Sequence, residues 1–295
     1  MTQHSPAPPS ATRWTAASLA ATLLVATPIG SAGAVDTQFI FGFTMGADVG
    51  EVGEKEIEVQ SFGRFGKADG SYTALEHQIR LEVSPVENLR LEIGVPLAIH
   101  SISGVSGLDD RQQAAFNGVA FEARYRLLNR EDGPFGFTIG AEPHWARVDD
   151  ASGEPVNAFG GELSLAADSE LVANRVYAAV NLLYAPEWTS SRLTGLTQRQ
   201  STLGVSAAAT VQAWPGIFLG GDARYLRAFD GIGFDALAGD ALFIGPMLYA
   251  RFSHDLAVSA AWNIQVTGRA VDSPGVLNLT TFERQRALLR VEYNF

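Results

Sequence analysis

The chain has 295 residues, 46% hydrophobic and 18% charged, too apolar for a disordered polymer and long enough for one large β domain or two ordinary ones. Cysteine is absent, which removes disulfides, thiolate chemistry and Cys-based metal or haem sites. The net charge of −11 argues against nucleic acid as a partner, and no long apolar run outside the N-terminus can form a transmembrane helix.

The first element, residues 1–34, reads as a signal peptide. A polar stretch carrying only Arg13 precedes the apolar run Thr15–Thr27, Pro28 and Gly30 end it, and Ala32-Gly33-Ala34 supplies small residues for cleavage. A lone arginine argues against twin-arginine export, and no cysteine follows to carry a lipid. Residues 35–53 come next, with Phe39, Phe41 and Phe43 alternating among Gly42, Gly46, Gly50 and Gly53. A periplasmic arm, an extra strand and a segment tucked into a lumen all fit; the glycines favour the tucked segment.

From Glu54 to Phe295 the polarity alternates with period two. Leu89, Leu91, Ile93, Val95, Leu97 and Ile99 oppose Arg90, Glu92 and His100; Val119, Phe121, Ala123, Tyr125 and Leu127 oppose Glu122, Arg124 and Arg126. A helix would scatter these charges, whereas a strand sorts them onto one face. The pattern predicts about 12 strands, near 54–66, 71–83, 88–101, 115–128, 134–147, 157–168, 174–188, 200–213, 216–228, 241–253, 256–268 and 283–295. Short connections alternate with long ones at 102–114, 148–156, 189–199, 229–240 and 269–282. The fold class is therefore all-β, an antiparallel up-and-down transmembrane barrel with its short turns periplasmic.

Alternation alone also suits a soluble sandwich. Three features favour a membrane. The strands are longer than those of soluble sheets and match a tilted bilayer crossing. Phe135, Trp214, Phe218, Tyr293 and Phe295 fall near one set of strand ends, and Trp145, Trp188, Phe229 and Phe282 near the other, as two interfacial belts would. Finally, the chain stops inside its last strand. The ending RQRALLRVEYNF resembles the C-terminal assembly signal of bacterial outer-membrane barrels, carried here by Leu289, Val291, Tyr293 and Phe295. That resemblance implies recognition by the barrel-assembly machinery and residence among outer-membrane lipid and lipopolysaccharide. The chain as a whole, through no single motif, also resembles proteobacterial barrels grouped with phenol-degradation-associated outer-membrane transporters.

Candidate chemistry is sparse. Histidines 77, 100, 144 and 254 show no metal-ligand spacing on one element, and the cross-strand set His100, His144 and Glu142 reads better as luminal hydrogen bonding. Outer-membrane phospholipases are barrels of this size with lipid-facing catalytic residues; His77, on an apolar face with Thr73 nearby, reads instead as an interface residue. No cofactor is implied. Parity sends charges of both signs inward, and the lumen candidates are Glu76, Arg80, Glu82, Arg90, Glu92, Glu122, Arg124, Arg126, Glu142, Arg224, Arg251, Arg286 and Arg290. They form either an ion-pair network filling a narrow barrel or a wet constriction that selects small polar or anionic solutes. The function expected is a narrow passive channel for an unknown small solute, not an enzyme. The alternatives are a closed barrel presenting its outer loops, and uptake of an apolar molecule, which the charged inner face disfavours.

Overall fold

Alternating polarity becomes alternating burial. Along β3 (Leu89–Ser103), Leu91, Ile93, Val95 and Leu97 are exposed while Arg90, Glu92 and His100 are buried. The computed structural model describes residues 35–271 and 275–295, so the expected signal peptide lies outside the described residues. The other strands are β1 (Lys55–Phe65), β2 (Ser71–Val86), β4 (Arg111–Phe116), β5 (Val119–Leu128), β6 (Gly136–Val148), β7 (Pro155–Val172) and β8 (Val176–Ser191). They continue through β9 (Thr197–Trp214), β10 (Ile217–Asp230), β11 (Leu237–Arg251), β12 (Leu256–Ala270) and β13 (Gln285–Asn294). Neighbours pair antiparallel, and β1 pairs with β13 from Glu56↔Asn294 to Phe65↔Gln285, closing the sheet. Both β4 and β5 pair with β3 and make one stave, so the barrel has the 12 staves that the polarity pattern predicts. Closure leaves no sheet edge for hydrocarbon to meet.

The break between β4 and β5 has a local cause. Gly118 sits at φ 101°, and a Cβ there would lie 1.8 Å from the Trp145 carbonyl oxygen. Asn117 turns its side-chain oxygen to the N–H groups of Arg147 (3.1 Å) and Val148 (2.8 Å), replacing the lost ladder bonds. Tight turns gather at one end of the barrel, where Asn88 and Asn174 adopt left-handed φ. The longer connections gather at the other, the loop end. Strands such as β7 and β9, each 18 residues, exceed the ~9–11 that a tilted crossing needs, so they extend beyond it.

Both expected belts lose members. Phe218 is buried in the lumen between Tyr177 and Tyr249, because its parity is that of Asp222 and Arg224. Phe229 is buried against Phe234 of the β10–β11 loop, and Phe282 is buried against Phe243. Phe135, Trp188, Trp214, Tyr293 and Phe295 remain exposed.

The lumen as candidate functional site

Residues 35–53 occupy the turn-end half of the lumen. Ile40 and Phe41, fully buried, pack on Tyr177, Phe218, Met247, Tyr249 and Ala261 from β8–β12. Burial of each such side chain stabilises by roughly 1.5–3 kcal/mol. Gly42 permits the contact: it takes φ 67°, and a Cβ would lie 2.9 Å from that of Ala261. Polar contacts hold the remainder. Asn181 donates to the Met45 carbonyl (2.8 Å) and accepts from its N–H (2.7 Å). Arg124 donates to the Gly46 carbonyl (2.6 Å), and Arg90 to Gln38 Oε1 (2.5 Å). At the turn end Arg130 clasps Asp48 (2.8 Å) and Asp168 (3.2 Å), while Asp168 also accepts from Thr37 and from the N–H of Ala47. Arg126 reaches Asp48 at 3.3 Å.

Against the opposite wall, β1–β3 and β13 carry an ion-pair network. Arg90 pairs with Glu82 and with Glu56 (3.5 Å). Arg80 pairs with Glu92 (2.6 Å) and lies 3.6 Å from both Glu58 and Glu142. Arg290 binds Glu58 (2.7 Å) and Gln60 (2.8 Å), with its guanidinium 4.1 Å from the Phe39 ring centroid. A buried charge left without a partner is costly, and these pairs offset that cost.

Towards the loop end the lumen widens into a cavity of about 630 Å³. Two connections fold inward over it. The β6–β7 loop is tied by Arg64–Asp150 (2.9 Å), Tyr72 to the Ala151 carbonyl (2.9 Å) and Gln113 to the Gly153 carbonyl (2.6 Å). The β12–β13 connection is tied by Gln265 to the carbonyls of Asn278 (3.1 Å) and Glu283 (2.9 Å). Below it lies a second cavity of about 40 Å³ between Phe43, Met45, Arg124 and the β7–β10 wall. Glu162, Leu183 and Arg224 line both, so the wide space leads into the narrow one beside the N-terminal segment.

The family assignment rests on a match across the entire barrel: a family of unknown function, DUF6662, matches residues 33–295. The chain belongs to that family. No curated protein matches it. Among solved structures, the fold is similar to the COG4313 outer membrane channel from Pseudomonas putida F1, at 16% identity and a TM-score of 0.60 over 84% of this chain and 98% of that one. The translocator domain of the autotransporter NalP from Neisseria meningitidis is similar at 13% identity and a TM-score of 0.50, over 84% and 91%. The NanC porin follows at 12% identity and 0.48, over 81% and 100%. The fold of this DUF6662 member is that of the outer-membrane β-barrel.

Within this barrel the sequence-derived lumen residues divide by location. Glu82, Arg90, Glu92, Arg80 and Arg290 belong to the ion-pair wall, and Arg124 and Arg126 hold the N-terminal segment. Glu76, Glu142, Arg224 and Arg286 line the wide cavity, with Arg286 paired to Glu283. Glu122 lies beside Glu92 and Glu142. Arg251 is exposed at the turn-end rim near Tyr249 (3.4 Å), because β11 ends there. Sequence reasoning passed over Asp48, Asp168, Arg130 and Asn181, whose partners lie far along the chain. His100 binds the Asp150 carbonyl (3.1 Å) and His144 lies 3.7 Å from Glu187; with Glu142 they make no three-ligand group among the described residues. Outside the barrel, His77 hydrogen-bonds Ser61 (2.8 Å) across β1 and β2, and Thr73 is not its partner.

Proposed function

We propose that the protein sits in the bacterial outer membrane as a narrow passive channel for small polar or charged solutes, closed in this state by residues 35–53. The observation that carries this reading is the tandem of cavities joined at Glu162, Leu183 and Arg224, which runs inward from the loop end and stops where Phe43 and Met45 of the N-terminal segment line its narrow end. The shared fold with a protein named as an outer membrane channel supports it. Lipid and lipopolysaccharide surround the exposed apolar belt in this reading, and Leu289, Val291, Tyr293 and Phe295 are the residues the assembly machinery reads. No catalytic role is assigned. Ser61 and His77 satisfy each other's polarity on the outer face, as buried or lipid-facing polar groups must.

Planar-bilayer recording tests the channel. The full chain should show small, infrequent openings, and the Asp48→Ala/Arg130→Ala variant, with its clasp released, should open more often and to a larger conductance. Silence from both proteins would remove the channel reading and leave a closed barrel that presents its loops.

A further inference from the structure

Strand register sets the lumen glutamates in a single row. Glu56 lies opposite Glu82, Glu82 opposite Glu92, and Glu92 opposite Glu122. Carrying the β5–β6 register on from Ala123↔Ala141 puts Glu122 opposite Glu142, and Glu142 lies opposite Glu162. Six carboxylates thus run across six adjacent staves, and one carboxylate oxygen from each of Glu92, Glu122 and Glu142 lies within 4.8 Å of the other two. Like charges placed directly across a sheet repel, so the row needs counter-charge. Arg90 serves Glu56 and Glu82, and Arg80 serves Glu92 and Glu142. Among the described residues Glu122 and Glu162 have no arginine or lysine within ion-pair distance, and Glu162 stands where the two cavities meet.

The wide cavity carries the same excess. Arg64, Arg80 and Arg286 are matched by Asp150, Glu142 and Glu283. That leaves Glu76, Asp149, Glu162, Glu187 and Asp230 against Arg224, which lies over the Phe43 ring at 5.2 Å, and His144, which stands 3.7 Å from Glu187. Arg124, at the narrow cavity, is engaged by the Gly46 carbonyl.

We infer that the glutamate row is the selectivity element of the lumen and that the solutes it admits are small cations, amines included. The inference rests on the channel reading for its transport consequence and on the register for its chemistry. Rings of acidic side chains select cations by restoring the charge balance that desolvation removes. In a potassium chloride gradient, the reversal potential of the full chain should report potassium over chloride by several-fold. Glu122→Gln/Glu162→Gln should bring the ratio towards one while the barrel still assembles, as heat-modifiable gel mobility reports. A conducting protein that prefers chloride, or whose preference survives the double substitution, overturns the inference and leaves the channel intact. If no current is seen at all, the channel reading fails on its own, and calorimetry decides the chemistry. Binding of 1,4-diaminobutane to the detergent-solubilised chain, lost in the double variant, upholds the cation site; no binding refutes it.

Discussion

Lys67 shows how a single residue can fasten a loop. It is one of only two lysines, with Lys55, among 21 basic residues. It lies in the β1–β2 connection, where its ammonium donates to the carbonyls of Thr280 (3.2 Å) and Phe282 (2.9 Å) and sits 5.2 Å from the Tyr72 ring centroid. Burial pushes its pKa down to about 8, with Glu283 opposing the shift. The sign follows directly. The folded value lies below the ordinary 10.5, so docking of the β12–β13 connection carries a penalty below pH 8. That penalty fades as pH rises through the interval from 8 to 10.5. Protein labelled with ¹³C at lysine Cε, with Lys55→Arg for assignment, should show Lys67 titrating near 8. A midpoint near 10.5 would mean that the ammonium is hydrated and the connection does not close over it. Arginine dominates elsewhere in the lumen for a related reason: its planar fork holds two carboxylates at once and keeps its charge when buried, as Arg80 and Arg90 do.

The N-terminal segment is the element whose stability matters most. Arg130 binds Asp48, Asp168, Thr37 (2.5 Å) and the Val35 carbonyl, so Arg130→Ala leaves Asp168 buried without a cationic partner and Asp48 with Arg126 alone. Breaking a buried pair from one side costs about 3–5 kcal/mol. The loss should be local. In hydrogen–deuterium exchange, amides of residues 37–48 should exchange at least tenfold faster, while those of β6–β9 stay protected. Loss of protection across β6–β9 would show that Arg130 supports the barrel rather than the segment. This element also marks the boundary of what the sequence made legible. The staves could be read because every second residue repeats the same message. The placement of residues 35–53 rests on single contacts such as Asn181 with Met45 and Asp168 with Thr37, 136 and 131 residues apart, and no period records such a pair. Phe218 was misplaced by reading its position along β10 ahead of its parity, and Phe282 because the β12–β13 connection folds inward.

At the scale of the whole molecule, one surface separates this barrel from a soluble sheet. Leu165, Leu182, Val205 and Tyr225 lie opposite one another across β7–β10, each about 40% exposed or more, in a belt that continues through Ile244, Ile264 and Leu289. A contiguous apolar patch of this extent needs a covering phase, and a closed barrel has no second sheet to provide it. Hydrocarbon is that cover, and the claim can be measured. Leu182→Arg places a charge within the belt and should cost about 2–4 kcal/mol in urea unfolding from phospholipid vesicles. Leu193→Arg, in the β8–β9 loop where the native side chain is already 67% exposed, should cost under about 0.5 kcal/mol. The contrast depends on depth alone, since both positions lose a leucine and gain the same guanidinium. Equal costs at the two sites would mean that water, not lipid, faces Leu182. The outward half of the polarity pattern would then need an explanation other than a bilayer.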